Sequence, residues 1–266
     1  MRSVIKNRLR EIVPVHYQVP IKYFVNALCG QLEVELKLLR WIVPRDSRVI
    51  DVGGNRGSYV YHLWRLGADV QVFEPNPDCS RVLSAWAVAK PRVHVHGVAL
   101  SDQPGTATLH IPQDDAGIEH DASASLVHVD FPSARQVPVE LRTLDSFGFA
   151  DIGFIKIDVE GHESDVLQGA RLTLQDSRPA LLIEIEQRHN SRPIAEIFDW
   201  LSSDGYQGFY LDFGQLQPVS HFNLERDQSS AQFGLKRGRY LNNFLFLHDR
   251  RLDRGEYAQL MEKYAL

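Results

Sequence analysis

Cysteine is scarce in this chain of 266 residues, which carries only two. Cys29 and Cys79 cannot form the framework of a small disulfide-rich domain or a cysteine-based metal centre. So low a cysteine content fits a reducing compartment, and we expect a cytoplasmic protein.

Long apolar runs and an excess of basic residues are also missing. No stretch approaches the roughly 18 apolar residues of a membrane span, and the N-terminus lacks the apolar core of a secretory signal. The formal net charge is −5, whereas nucleic-acid binding depends on clustered Lys and Arg. We therefore predict neither a transmembrane segment nor a nucleic-acid partner. The basic residues 1–13 predict a solvated amphipathic helix, with membrane-surface contact as the alternative.

What the chain does contain is an alternation of apolar strand patterns and amphipathic helix patterns. Such alternation predicts an α/β protein with a mostly parallel sheet and helices on both faces. Two late strand patterns, 206–213 and 242–249, are joined without a helix pattern and predict an antiparallel pair at the far edge of the sheet. The other predicted strands are 47–53, 69–77, 92–100, 153–161 and 179–187, and the predicted helices are 58–67, 77–90, 163–176 and 193–205.

The chain divides into a helical N-terminal segment, 1–40, and a single domain, 41–266. Inside that domain, residues 113–130 form a polar loop without periodicity. A compact domain rarely carries so long a loop unless it is functional or disordered. Of these we expect a function, in which the loop, with His120 and His128, forms a wall of the substrate site.

A glycine-rich loop follows the first predicted strand, in the sequence VIDVGGNRGSYV. A dinucleotide-binding loop would read Gly-x-Gly-x-x-Gly and hold a pyrophosphate, but Asn55 stands at its second glycine position. Asp51 would repel a phosphate and attract an ammonium group. The loop therefore favours S-adenosylmethionine, which carries an ammonium and a sulfonium but no phosphate. Glu74, at the end of the second strand, is placed to accept hydrogen bonds from the two ribose hydroxyls.

Polar side chains also follow one face of the strand pattern IKIDVEG. Alternation places Lys156, Asp158 and Glu160 on the same side, and His162 follows on the next turn. The carboxyl end of a parallel strand is where ligands bind, so Asp158, Glu160 and His162 are the candidate catalytic residues, any of which could remove a proton from an acceptor. Lys156 is expected to pair with Asp158 or Glu184 inside the sheet, and the alternative for His162 is a backbone hydrogen bond at a helix start.

The same carboxylates could instead hold a magnesium ion, which prefers oxygen ligands. Glu184 and Glu186, on the next predicted strand, would add to such a site. An acidic cluster around a doubly cationic cofactor explains the pattern equally well, and we predict that no metal is used.

Five stretches resemble the FkbM-type S-adenosylmethionine-dependent methyltransferases: VIDVGGNRGSYV, VFEPNP, VALSDQPG, RTLDSF and FIKIDVEGHESDVLQGA. KIDVEGHE is the most specific of them, and the resemblance covers roughly residues 31–187, with NNFLFL fitting as well. The chain departs from the family pattern at Gly54, where alanine is usual. The resemblance implies a Rossmann-like, seven-stranded class I methyltransferase fold and methylation of a hydroxyl oxygen on a sugar, glycan or natural product.

The resemblance also implies a set of cofactor contacts. In it, Glu74 would bind the ribose, and Ser101 with Asp102 would border the adenine. The methionine end would be lined by Asp51, Gly53, Asn55 and Gly57. Two other classes stay open: a nicotinamide-dependent oxidoreductase on the same kind of sheet, and a non-catalytic module that binds S-adenosylmethionine. The acceptor, the position methylated and the oligomeric state are not indicated.

Overall fold

The computed structural model describes residues 13–114, 117–127, 133–232 and 240–265. The predicted basic helix at 1–13 therefore lies almost wholly outside the described residues. The strands are β1 (Arg48–Val52), β2 (Asp69–Phe73), β3 (Val93–His96), β4 (Ala99–Leu100), β5 (Gly105–Pro112), β6 (Ala134–Arg142), β7 (Ile152–Ile157), β8 (Ala180–Glu184), β9 (Tyr206–Asp212), β10 (Gln215–Pro218) and β11 (Asn243–His248). The α-helices are α1 (Gln18–Leu28), α2 (Leu36–Ile42), α3 (Ser58–Arg65), α4 (Pro77–Ala87), α5 (Glu163–Gln168), α6 (Arg171–Ser177), α7 (Ala195–Ser203), α8 (Leu224–Asp227), α9 (Asp249–Asp253) and α10 (Ala258–Tyr264).

The main sheet has the order β10-β9-β11-β8-β7-β1-β2-β3. Strands β3, β2, β1, β7 and β8 run parallel to one another, whereas β11 is antiparallel to both β8 and β9. The predicted mostly parallel sheet is therefore confirmed, with eight strands where seven were expected. The additional strand is β10, which folds back on β9 through a tight turn with positive φ at Phe213 and Gly214. The predicted antiparallel pair is present, but β10 rather than β9 forms the edge.

A second sheet of three strands, in the order β4-β6-β5, packs beside the first. In this region one prediction was wrong and one strand was missed. The pattern at 92–100 forms two strands, β3 and β4, which belong to different sheets. Strand β6 was not predicted, because its alternation is interrupted by Pro138, a residue that usually argues against a strand.

Apolar clusters cover both faces of the main sheet. Because neighbouring side chains of a strand point to opposite faces, Val49 packs in one cluster and Ile50 in the other. The first cluster contains side chains of α1, α2, α3 and α4, and the second contains side chains of α5, α6 and α7. The N-terminal helices therefore pack on the same sheet as the rest, and residue 40 lies within α2. Within the described ranges, no helix combines the length and apolarity needed to cross a bilayer.

One predicted helix is interrupted at a glycine that lies against the segment after β4. The pattern at 163–176 forms two helices, α5 and α6, separated at Gly169. A Cβ on Gly169 would overlap the backbone carbonyl of Ser101, so only glycine allows these two segments to approach so closely. This contact holds the segment after β4 against the start of α6.

Candidate functional site

A cavity of about 350 Å³ lies at the carboxyl ends of β1, β2 and β7. This is the end of a parallel sheet at which ligands bind, and the volume suits one small molecule. Its walls come from the loop after β1, the ends of β2 and β7, the segment 98–100, the helix α1 with the turn after it, and the loop at 121–126.

The loop after β1 turns through three residues with positive φ: Gly53 at 83°, Asn55 at 46° and Gly57 at 82°. Glycine adopts this conformation without steric cost, and asparagine is one of the few other residues that tolerate it. A Cβ on Gly53 would overlap the carbonyl oxygen of Asp158, so the loop lies directly against the chain that follows β7. Gly53 and Asn55 line the cavity, whereas Gly57 directly precedes α3 and packs against Val19.

Gly54 is the position at which the chain departs from the family pattern. A Cβ there would overlap the side chain of Val72. The space that an alanine would need at this point is therefore filled by a neighbouring valine of β2.

Asp51 is the most deeply buried acid of the cavity, with 1% of its surface exposed. Burial raises the pKa of Asp51 to about 7, against the opposing effect of Lys156. Among the described residues, its Oδ2 atom is buried and has no hydrogen-bond partner. Since buried polar atoms are rarely left unsatisfied, this oxygen is suited to a cationic donor within the cavity.

Glu74 supports the glycine loop from the end of β2. Its Oε2 accepts a hydrogen bond from the backbone N–H of Asn55 (2.5 Å), and its Oε1 accepts one from that of Asn76 (2.7 Å). Burial raises the pKa of Glu74 to about 7, although these two hydrogen bonds oppose the shift. Each oxygen retains a second lone pair, so the carboxylate can hold the loop and still accept from two hydroxyls.

Lys156 is fully buried, and its predicted pairing is confirmed. Its Nζ lies 3.6 Å from Asp158 Oδ2 and 3.9 Å from Glu184 Oε2, and 5.1 Å from the ring centre of Tyr59. Burial opposes protonation of Lys156, but Asp158 and Glu184 outweigh it and raise the pKa of the ammonium. Lys156 therefore acts as an internal counter-charge.

The residues predicted to do chemistry lie beyond the strand rather than on it. β7 ends at Ile157, and Glu160 has a positive φ of 53°, so strand alternation does not set its direction. Its Oε2 lies 3.1 Å from His189 Nε2. Burial, followed by the charges of Asp158 and Glu186, raises the pKa of Glu160 to about 8.

His162 lines the cavity with both ring nitrogens engaged. Nδ1 lies 2.9 Å from Asp165 Oδ2, and Nε2 lies 3.0 Å from Ser101 Oγ. These contacts replace the backbone hydrogen bond that was the alternative for this residue. Burial lowers the pKa of His162, and Asp165 and Asp102 oppose that change.

Ser101 and Asp102 are not among the residues that line the cavity. The Ser101 hydroxyl donates to Asp102 Oδ1 (3.1 Å) and meets His162 on its other side. The residues just before them, in the segment 98–100, do line the cavity. Together with side chains from β2, β5 and the 121–127 loop they form an apolar part of its wall: Phe73, Val98, Ala99, Leu100, Leu109 and Leu126.

Several lining residues were not singled out from the sequence. Asp121, from the polar loop, accepts a hydrogen bond from Arg56 Nε (2.7 Å) and so joins that loop to the glycine turn. Tyr59 donates its hydroxyl to Glu33 Oε2 (2.6 Å). The other N-terminal contributions are Lys22, Asn26, Gln31, Leu32 and Leu36. These contacts join segments far apart in the chain, and no local motif marks them.

The cavity is strongly acidic. Among the described residues, its lining includes seven carboxylates and two lysines. The carboxylates are Glu33, Asp51, Glu74, Asp121, Asp158, Glu160 and Glu184. In the same part of the chain, no three His, Cys, Asp or Glu side chains are grouped as metal ligands would be. An excess of negative charge in a partly enclosed site favours a cationic ligand.

The fold and the position of this cavity define a class I methyltransferase, with helices on both faces of a mostly parallel sheet. The chain belongs to the methyltransferase FkbM family: the model of that domain matches residues 51–207. The family membership predicted from the sequence is confirmed, and it gives no support to a nicotinamide-dependent oxidoreductase.

Two curated proteins show how far the similarity extends. The 2-O-methyltransferase NoeI of Sinorhizobium fredii is 27% identical over 192 residues, which span 64% of this chain and 77% of NoeI. Methyltransferase 1 of Beauveria bassiana is 26% identical over 147 residues, 47% of this chain and 59% of that protein. A solved methyltransferase FkbM from Methylobacillus flagellatus is 18% identical, with a TM-score of 0.48 over 77% of this chain and 45% of its own.

Proposed function

We propose that this methyltransferase uses S-adenosylmethionine and methylates a hydroxyl oxygen of a sugar, glycan or natural product. The observation that carries the proposal is the buried Asp51 oxygen without a partner, in a cavity that also presents Glu74. An ammonium group would satisfy Asp51, two ribose hydroxyls would suit Glu74, and the apolar wall near Phe73 would suit a flat base. The oxygen acceptor is supported by the similarity to a protein named as a 2-O-methyltransferase.

The residues of this chain have three tasks in such a reaction. S-Adenosylmethionine, when bound, supplies an electrophilic methyl group on its sulfonium. Asp51 and Glu74 hold the cofactor, while Lys156 supplies the positive charge beside Asp158 and Glu184. Glu160 and His162, farther along the same wall, are the candidates to take the proton of the acceptor hydroxyl. Alignment of two reactants can supply roughly 7–11 kcal/mol, so holding the groups in place is the larger task.

Replacing Glu74 with alanine tests cofactor binding. We expect the variant to bind S-adenosylmethionine about ten- to a hundredfold more weakly, because hydrogen bonds to a charged group are lost. In the wild type, affinity should rise with pH through about 7, since the raised pKa of Asp51 must be passed before that carboxyl is ionised. Isothermal titration calorimetry measures both effects.

The exposed Glu262, on α10, gives a matched control. Glu262→Ala should bind the cofactor as the wild type does. Folded wild-type protein that shows no heat of binding would contradict the proposal. Incubation with methyl-labelled S-adenosylmethionine and sugar or metabolite fractions then separates an enzyme from a non-catalytic module, which would transfer no label.

Chelation tests the prediction that no metal is used. We expect turnover to be unchanged in EDTA, because the Lys156 ammonium already lies within ion-pair distance of Asp158 and Glu184, two of the carboxylates that would ligate a magnesium ion. The measurement is S-adenosylhomocysteine formation with and without the chelator. Loss of activity that magnesium alone restores would show that the carboxylates are ligands.

A further inference from the structure

A polar groove of about 1320 Å³ lies outside the cofactor cavity. The two spaces share a wall, and among the described residues Glu160 is the one that lines both. The cavity is large enough for one small molecule only, so an acceptor must approach from outside it. The groove meets the cavity at the residue that is a candidate for proton removal.

The loop at 121–127 forms the rest of this wall. Its side chains alternate, since Ala122, Ala124 and Leu126 line the cavity, and Ser123, Ser125 and Val127 line the groove. The hydroxyl of Ser125 donates to the backbone carbonyl of Glu160 (2.7 Å), which joins the loop to the chain after β7. The apolar face of the loop is therefore turned to the cofactor side and its mostly polar face to the groove.

The groove is lined by groups suited to a polyhydroxylated ligand. Ser164, Gln168 and Asn190 provide hydroxyl and amide groups, and the half-buried Trp200 provides an aromatic surface against which a sugar ring can pack. This composition differs from that of the inner cavity, where carboxylates and apolar side chains predominate.

The groove is lined by three arginines, Arg171, Arg188 and Arg192, and by three carboxylates, Glu160, Asp165 and Glu196. Arg188 is bound to Glu186, whereas Arg171 and Arg192 are exposed and have no carboxylate within ion-pair distance among the described residues. Guanidinium groups bind carboxylate, sulfate and phosphate groups in a two-pronged geometry. Of the carboxylates, Asp165 is bound to His162 and Glu160 to His189, so the two exposed guanidinium groups are available for a ligand that carries an anionic substituent.

We propose that this groove binds the methyl acceptor, and that the acceptor is a sugar or oligosaccharide carrying an acidic group read by Arg171 and Arg192. The proposal rests on the proposed function. The reacting hydroxyl lies at the Glu160 end of the groove, and the acidic group lies toward the two arginines.

The test uses two pairs of probes that differ in charge: lactose with sulfated lactose, and a galactose trimer with a galacturonic acid trimer. Binding is measured by calorimetry on the full chain saturated with S-adenosylhomocysteine. For at least one pair we expect the acidic probe to bind about tenfold or more tightly than the neutral one. Added salt should reduce this preference, because the arginines are exposed.

The double variant Arg171→Gln/Arg192→Gln should lose the preference and keep its affinity for S-adenosylhomocysteine. Arg254→Gln serves as the control, since Arg254 is exposed and lies at the other end of the sheet, near Gly153. Equal binding of both members of each pair, binding of neither, or a preference that survives the double substitution would overturn the proposal. Failure to bind S-adenosylhomocysteine at all would instead contradict the proposed function.

Discussion

Replacing Gly53 with alanine is expected to destabilise the folded protein by about 2–5 kcal/mol. The residue has a φ of 83°, and an added Cβ would overlap the carbonyl oxygen of Asp158. The loop and the chain after β7 would have to separate, and both line the cavity proposed to bind the cofactor. The free energy of unfolding in urea measures the loss, and calorimetry with S-adenosylmethionine measures its effect on binding.

Gly214 provides a control with the same backbone conformation. It also has a φ of 83°, but nothing lies within 4 Å of an added Cβ. Gly214→Ala should therefore cost only the conformational part, about 1–2 kcal/mol. If the two variants lose the same stability, the close approach of Gly53 to Asp158 does not contribute, and the loop can relax at no cost.

The parallel part of the sheet could be predicted because its strands are short and buried on both faces. Val49 and Ile50 belong to the apolar clusters on opposite faces of the sheet. A short run of apolar residues between two helix patterns is typical of such a buried parallel strand. The strands that were missed lack this signal. β6 contains Pro138, and β10 is short and lies at the edge of the sheet. These two strands are therefore stabilised by pairing with a neighbouring strand, and their own sequence patterns do not indicate them.

The inner part of the candidate site was also predicted from the sequence, but the predicted position of two of its residues on a strand was wrong. Asp158 and Glu160 were assigned to one face of a strand, and both do line the cavity. β7 ends before them, and Glu160 reaches its position through a backbone turn with positive φ. The spacing of the motif therefore correctly predicted that these residues lie at the cavity, but the alternation of side chains along a strand is not the reason for their position.

The parts that sequence reasoning missed come from segments distant in the chain. Glu33 reaches the cavity because Tyr59 holds it, and Asp121 does so because Arg56 holds it. Each contact depends on how a loop packs against the finished sheet, for which a local pattern carries no information. His120 lies in the same loop, but its ring is 3.8 Å from Asp114 Oδ2 and it is not among the residues lining the cavity or the groove. His128 lies outside the described residues.

Replacing the candidate bases should separate chemistry from cofactor binding. We expect Glu160→Gln or His162→Ala to lower kcat by about 10²–10⁴-fold if the residue is the general base, while cofactor affinity changes by less than about threefold. In the proposed function Asp51 and Glu74 hold the cofactor, which leaves the outer residues for the acceptor. Asp158→Asn should damage both functions, because Asp158 is also a partner of Lys156.

The pH dependence of kcat distinguishes the two candidates. A general base works deprotonated, so kcat rises as the pH passes its pKa. In free amino acids the carboxyl would titrate first, but burial disfavours the charged form of each group and reverses that order. It raises the pKa of Glu160 to about 8 and lowers that of His162 below its ordinary value of 6.5. A rising limb near pH 8 indicates Glu160, and one below 6.5 indicates His162.

The limb must also disappear in the matching variant. Glu160→Gln should abolish a limb near pH 8 and leave one below 6.5 in place, and His162→Ala should do the reverse. Glu225→Gln, at an exposed position on α8, should leave the profile unchanged. Variants that both retain the wild-type kcat across the range would show that neither side chain removes the proton. Catalysis would then depend on alignment of the two reactants by the cavity and its wall.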